Sequence, residues 1–88
     1  MDRKSVGSLR TAENDVLLSI IRETRTRAKV SQEELSKRLG QSITFMVKVE
    51  RGTRRLDLVE FIRVAEALGQ NPEEMFGEVM AAIRSSVR

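Results

Sequence analysis

The chain has 88 residues, a mass of 10.0 kDa and a formal net charge of +3, which suits one small domain and excludes a second independent core. It contains no cysteine and no histidine, so disulfides, thiolate zinc sites, thiol nucleophiles and the commonest general base are excluded. We therefore expect a protein that is not an enzyme and that uses no metal or cofactor. No signal-peptide pattern and no membrane-spanning apolar segment is present, which predicts a cytoplasmic location.

Basic residues are concentrated in the middle of the chain. Residues 22–55 contain ten basic and four acidic residues, a net charge of +6, whereas residues 56–88 contain three basic and six acidic residues, a net charge of −3. This distribution indicates one face suited to a polyanion and another face kept away from it. An ordinary solvated helical surface with accidental clustering is the alternative interpretation.

Hydrophobic periodicity and helix start and stop signals predict an all-α fold of five helices. Residues 1–11 lack this periodicity and are predicted to form a flexible arm. The first helix is predicted over residues 14–27, with Asn14 or Thr11 as its cap. A capping box that begins at Ser31 starts the second helix, which is expected to end at Leu39.

The last three helices carry equally clear signals. Ser42 is predicted to cap a third helix from Ile43 to Arg51, in which Met46 and Val49, three residues apart, are expected in the core. The capping-box pattern of Asp57 and Glu60 starts a fourth helix, whose buried residues are predicted to be Leu58, Phe61, Ile62, Ala65 and Leu68. A fifth helix follows the Asn71 cap, with an apolar stripe of Met75, Phe76, Val79, Met80 and Ile83.

The turn 39–42 between the second and third helices is short and contains glycine, as in a helix-turn-helix motif. Ser36 is the small residue required where those two helices touch. Four blocks in order, Val30-Ser31-Gln32-Glu33-Glu34-Leu35, Leu39-Gly40, Val49-Glu50-Arg51-Gly52 and Ala65-Glu66-Ala67-Leu68-Gly69, resemble the phage repressor and Cro-type (XRE-like) helix-turn-helix family. The resemblance implies a DNA-binding domain over residues 12–76 that regulates transcription. It also implies double-stranded DNA as partner and a dimeric repressor on an inverted-repeat operator, with the third helix in the major groove.

The resemblance also implies roles for individual residues. Those that match DNA-contacting positions are Gln32, Ser42, Ile43, Thr44, Val47, Lys48, Arg51, Arg54 and Arg55. Arg25 and Glu50 match an ion pair that ties the first helix to the third. Each role has a simpler alternative. Gln32 could be an ordinary early-helix residue, and Arg54 and Arg55 could be solvated loop charges. Arg25 and Glu50 could each point to water.

Two departures from the family pattern bear on specificity and strain. Ile43, Phe45 and Val47 make the third helix unusually apolar, so they could contact thymine methyl groups, wedge between bases or extend the core. We expect Phe45 in the core and Ile43 and Val47 at the DNA, with DNA shape carrying part of the specificity. Lys29 stands where relatives usually have glycine, which predicts either about 1 kcal/mol of strain or a rearranged turn.

Residues 77–88 extend beyond the minimal domain and are predicted to form a helical extension. We expect a homodimer contact through Met75, Val79, Met80 and Ile83, with packing onto the chain's own core as the alternative. No small-molecule ligand and no membrane partner is indicated. The alternative function is a protein-interaction module, an antitoxin or adaptor that docks through the apolar surface of the third helix.

Overall fold

The computed structural model describes residues 11–87, which form five α-helices and, within that range, no β-strand. The helices are α1 (Ala12–Arg27), α2 (Gln32–Arg38), α3 (Phe45–Arg51), α4 (Leu58–Ala67) and α5 (Pro72–Ser86). The predicted all-α, five-helix fold is therefore confirmed. The arm predicted over residues 1–11 lies outside the described residues except for Thr11, whose Oγ1 accepts a hydrogen bond from the Asn14 backbone and caps α1. None of the described helices is both long and apolar enough to cross a membrane.

One core holds the helices together. α2 packs against α3 and α4, whereas α1 packs against α3 and α5, and α5 also packs against α4. Ile21, Leu35, Met46, Val49 and Val64 are completely buried at the centre of this arrangement. Met46 and Val49 had been predicted as core residues from their helical spacing, and that prediction is confirmed.

The start of α3 differs from the prediction. Ser42 does not cap a helix at Ile43; the helix begins at Phe45, and Thr44 occupies the N-cap position without a side-chain hydrogen bond to the backbone. Ser42 and Ile43 belong instead to the turn, in which the Ser42 carbonyl accepts a hydrogen bond from the Phe45 backbone N–H at 3.0 Å. The exposed Ile43 therefore lies beside the helix, at the rim of the helix-turn-helix.

The buried faces of α4 and α5 also need correction. In α4, the Asp57 capping box is formed as predicted, but Leu58 and Ile62 are exposed and Val64 is buried in their place. In α5, Phe76 is exposed. The predicted boundary between residues 76 and 77 falls inside α5, which continues unbroken and whose later turns contribute to the same core.

Lys29 keeps the left-handed backbone conformation that relatives usually give to glycine. Its φ is 61°, and the flanking hydrogen bonds, Lys29 N–H to the Thr26 carbonyl and Val30 N–H to the Arg25 carbonyl, form a Schellman turn that ends α1. The buried Val30 side chain anchors this turn in the core. Of the two possibilities left by the sequence, the structure therefore has the strained lysine and not a rearranged turn.

Candidate nucleic-acid interface

A tight turn joins α2 to α3. Gly40 follows α2 with a φ of 70°, and the Gln41 backbone N–H donates to the Ser36 carbonyl at 3.0 Å, which reverses the chain in few residues. Across the corner, the Ser36 Oγ accepts a hydrogen bond from the Met46 backbone N–H at 3.0 Å. The first turn of α3 is thus capped by a side chain from α2 and not by its own N-cap residue.

α3 has a buried face and an outward face. Phe45, Met46, Val49 and Glu50 are buried. The outward residues, at helical spacing, are Thr44, Val47, Lys48 and Arg51, of which Val47 is half-buried and the other three are exposed. Lys48 and Arg51 make no ion pair with any residue of the described range, so their charges face solvent. The outward face is therefore a cationic stripe with one apolar member.

A buried ionic network sits behind that stripe. The Glu50 carboxylate, with a side-chain exposure of 0%, accepts hydrogen bonds from Arg25 Nε at 2.7 Å and Arg25 Nη2 at 3.0 Å. Gln32 Nε2 donates to Glu50 Oε1 at 2.9 Å, and Arg22 Nε lies 3.4 Å from the same oxygen. Arg25 Nη1 also donates to the Val30 carbonyl at 2.9 Å. Side chains from α1 and α2 therefore hold the C-terminal turn of α3.

Burial and hydrogen bonding oppose each other at Glu50. Burial alone would raise the pKa of this carboxyl, because a charge is costly away from water. Hydrogen bonds from Arg25 and Gln32, the positive charge of Arg25 and the hydrogen bond from Arg22 outweigh burial, and the pKa of Glu50 lies below its ordinary value. Glu50 is therefore ionised near neutral pH and acts as a fixed anchor for the surrounding donors.

The loop after α3 separates two arginines that the resemblance treated alike. Arg54 Nη1 lies 2.6 Å from Glu60 Oε1 and 2.6 Å from the Arg55 carbonyl oxygen, and its guanidinium covers the Phe45 ring at 4.8 Å from the ring centroid. Arg55 is exposed and makes no ion pair with any described residue. Phe45 is 5% exposed, which confirms its expected place in the core.

Most of the residues predicted to form a dimer contact are buried within the chain and cannot contact a second copy. Met75, Val79 and Ile83 are buried in the chain's own core, and Met80 is only partly exposed, so that prediction is corrected. Three of the exposed apolar side chains lie together elsewhere: Leu58, Ile62 and Phe76 line one groove between α4 and α5. A signal for this surface was present in the sequence, because α4 carries more apolar residues than one buried face can hold.

The remaining predicted contact residues are positioned around the stripe or behind it. Ser42 and Thr44 are exposed at the start of the stripe, with their hydroxyl oxygens 3.4 Å apart. Gln32 is half-buried, and its amide nitrogen is engaged with Glu50, so it contacts α3 directly. No group of acidic side chains within residues 11–87 has an arrangement that could hold a metal ion.

Comparison with known proteins gives the family. The HTH_3 helix-turn-helix family model matches residues 21–75, which cover α2, α3 and the turn between them. The chain belongs to the XRE-like helix-turn-helix family. No curated protein sequence matches the chain significantly.

Solved structures agree with membership of the XRE-like family. An XRE-family-like protein from Pseudomonas syringae pv. tomato is 34% identical with a TM-score of 0.76, over 81% of this chain and 87% of that chain. The restriction-modification controller protein C.AhdI from Aeromonas hydrophila is 35% identical with a TM-score of 0.66, over 74% of this chain and 94% of that chain. A hypothetical transcription factor from Neisseria is 31% identical with a TM-score of 0.64, over 70% of this chain and 71% of that chain. The chain is accordingly a DNA-binding transcription regulator of XRE-like type.

Proposed function

We propose that the protein is a sequence-specific, dimeric repressor that binds an inverted-repeat operator in the cytoplasm, with α3 and the preceding turn in the major groove. The observation that carries this proposal is the outward stripe of Thr44, Val47, Lys48 and Arg51, set on a helix whose opposite face is fixed by the Glu50 network. A rigid helix with exposed cations and a hydroxyl is suited to contact both phosphates and base edges.

Different residues are proposed to supply affinity and specificity. Lys48, Arg51 and Arg55 carry exposed charges, and phosphate contacts by such charges release counterions without reading sequence. Thr44 can hydrogen-bond to several bases, whereas Ile43 can contact only apolar groups such as thymine methyls. Ile43 is 55% exposed, which supports its place at the DNA.

A salt titration tests DNA binding against the alternative of a protein-docking module. For a mixed-sequence duplex, log Kd should rise linearly with log salt concentration, and Lys48→Ala should lower the slope by about 0.9 for one lost phosphate contact. Ser19→Ala, an exposed and uncharged change on α1, is the control. A weak, salt-independent interaction would favour the antitoxin or adaptor function, although burial of Phe45 leaves little apolar area on α3 for such docking.

The homodimer is proposed to form through the groove between α4 and α5. Leu58, Ile62 and Phe76 are 65%, 37% and 47% exposed, and Phe76 contacts the core residue Phe61 edge-on with ring centroids 6.1 Å apart. Exposed apolar clusters of this kind are typical of interfaces. A two-fold dimer also suits the function, because one such domain contacts only a few base pairs.

Sedimentation tests this interface. The wild type should sediment at twice the 10.0 kDa chain mass at tens of micromolar, and Phe76→Asp should be monomeric because it buries an unpaired charge in the contact. Ile43→Asp changes an exposed apolar residue in the helix-turn-helix and should remain dimeric. A wild-type monomer, or a dimer that Phe76→Asp does not weaken, would contradict the proposed interface.

A further inference from the structure

The loop arginines Arg54 and Arg55 are adjacent in sequence but occupy different environments. The guanidinium of Arg54 is held by the Glu60 carboxylate, by the Arg55 carbonyl and by the face of the Phe45 ring. Both hydrogens of Nη1 are used in the two 2.6 Å hydrogen bonds. Arg55 projects into solvent without an ion pair to any described residue.

The contacts of Arg54 join the two helices on either side of the loop. Glu60 belongs to the capping box of α4: its Oε1 accepts from the Asp57 backbone N–H at 3.0 Å, and its own N–H donates to Asp57 Oδ1 at 2.7 Å. Phe45 is the first residue of α3 and lies beside Met46, the residue that Ser36 caps. The guanidinium therefore lies between the first turn of α3 and the first turn of α4.

Electrostatics separate the two arginines further. The hydrogen bond from Arg54 is the main cause of the lowered pKa of Glu60, so this carboxylate is ionised and sits against the guanidinium. A DNA phosphate that approached Arg54 would meet the negative charge of Glu60 and would find both Nη1 hydrogens already in use. Arg55 makes no such ion pair with any described residue.

We propose that Arg54 is a positioning residue that fixes the first turn of α3 for base readout, and that Arg55 is the loop cation that binds phosphate. This rests on the DNA-binding function proposed above. Loss of Arg54 lowers discrimination between DNA sequences, whereas loss of Arg55 lowers affinity for all sequences alike.

Matched variants at the two positions separate these roles. Arg54→Met and Arg55→Met remove the charge, whereas Arg54→Lys and Arg55→Lys keep it without the planar guanidinium that stacks on a ring and donates in two directions. Each is titrated against a duplex selected by the wild type from a random library and against a mixed-sequence duplex, over a range of NaCl concentrations. Exchange of the Met46 backbone amide in the free protein is followed by NMR.

The expected results differ in kind for the two positions. Arg55→Met should lower the salt slope by about 0.9 and leave the ratio of the two Kd values unchanged, and Arg55→Lys should bind as the wild type does. Both Arg54 variants should keep the slope, lose about tenfold in the ratio of mixed-sequence to selected-duplex Kd, and exchange the Met46 amide faster. A merely stabilising role would leave the Kd ratio of the folded protein unchanged.

Besides an unchanged Kd ratio in the Arg54 variants, two results would overturn the inference. A wild-type-like Arg54→Lys together with a lower salt slope in Arg54→Met would make Arg54 a phosphate contact. Unchanged Met46 exchange in both Arg54 variants would show that the guanidinium does not hold α3. If the wild type binds no duplex, the proposed function fails. The positioning role of Arg54 is then tested by exchange of the Met46 amide alone, and faster exchange in the Arg54 variants but not in the Arg55 variants would support it.

Discussion

Ser36, in the middle of α2, caps α3 through Met46. Its Oγ accepts a hydrogen bond from the Met46 backbone N–H and donates one to the Gln32 carbonyl, and its side chain is completely buried. The first backbone N–H groups of a helix have no partner within the helix, and Thr44 supplies none through its side chain. One hydroxyl therefore sets both the closeness of α2 to α3 and the beginning of the proposed recognition helix.

Ser36→Ala should lower the free energy of unfolding by about 1–2 kcal/mol, because it leaves a buried N–H without a partner at almost unchanged volume. Urea denaturation at neutral pH measures this loss. Ser19→Ala, at an exposed position inside α1, serves as the matched control and should change stability by less than about 0.5 kcal/mol. Equal effects of the two substitutions would show that the hydroxyl of Ser36 does not stabilise the corner.

Glu50→Gln should lower the free energy of unfolding by about 3 kcal/mol at neutral pH, because it leaves Arg25 without its buried counter-ion. The effect should depend on pH. Since the folded-state pKa of Glu50 lies below the ordinary 4.5, its stabilising contribution is complete above that pH and is lost as pH falls through the folded-state value.

Urea denaturation of both proteins at decreasing pH tests this sign. The stability difference between the wild type and Glu50→Gln should be constant above about pH 5 and should narrow below about pH 4. Glu66→Gln, at an exposed position without an ion pair to any described residue, should have little effect on stability. A difference that widens in acid would mean that the carboxyl is not ionised in the folded protein.

Helix positions were predictable where the determining contacts are local in sequence. Spacing alone placed Met46 and Val49 in the core, and the Asp57 capping box was recognisable because both of its hydrogen bonds form within four residues. The start of α3 was missed because its cap, Ser36, comes from another helix. The sequence placed Ser36 where the two helices touch, but it did not reveal that the Ser36 hydroxyl caps α3.

The exposed apolar surface was not predicted for a related reason. α4 is apolar on more than one face, and the choice of the face that packs inward depends on where α5 and α2 lie. The predicted buried face of α4 therefore included Leu58 and Ile62, which are exposed, and omitted Val64, which is buried in the core. The different environments of the loop arginines also depend on tertiary structure, because Glu60 is available to Arg54 only once α4 is in place.

Lys29→Gly should raise the free energy of unfolding by about 0.5–1 kcal/mol, because glycine adopts a φ of 61° without the steric cost of a side chain. Thermal and urea denaturation measure the gain. Lys29→Ala removes the same positive charge but retains a Cβ, so it should not stabilise. If alanine stabilised as much as glycine, charge and not backbone strain would explain the effect.

Replacement of thymine by uracil in a selected duplex tests the apolar contacts proposed for Ile43 and Val47. Each thymine methyl contacted by these side chains should contribute about 0.8 kcal/mol, so each substitution should weaken wild-type binding about fourfold. The Ile43→Ala protein should be insensitive at the base that Ile43 contacts. Equal sensitivity of the variant and the wild type at every thymine would exclude methyl readout by Ile43.

Selection of duplexes from a random library by the purified wild-type protein, followed by sequencing, tests the account most directly. We expect an enriched inverted repeat with half-sites about one helical turn apart. Binding to it should exceed binding to mixed-sequence DNA by about a thousandfold or more, and the preference should fall when the outward residues Thr44 and Lys48 are replaced by alanine. Recovery of no common sequence, or a preference that these substitutions leave intact, would contradict specific readout by α3.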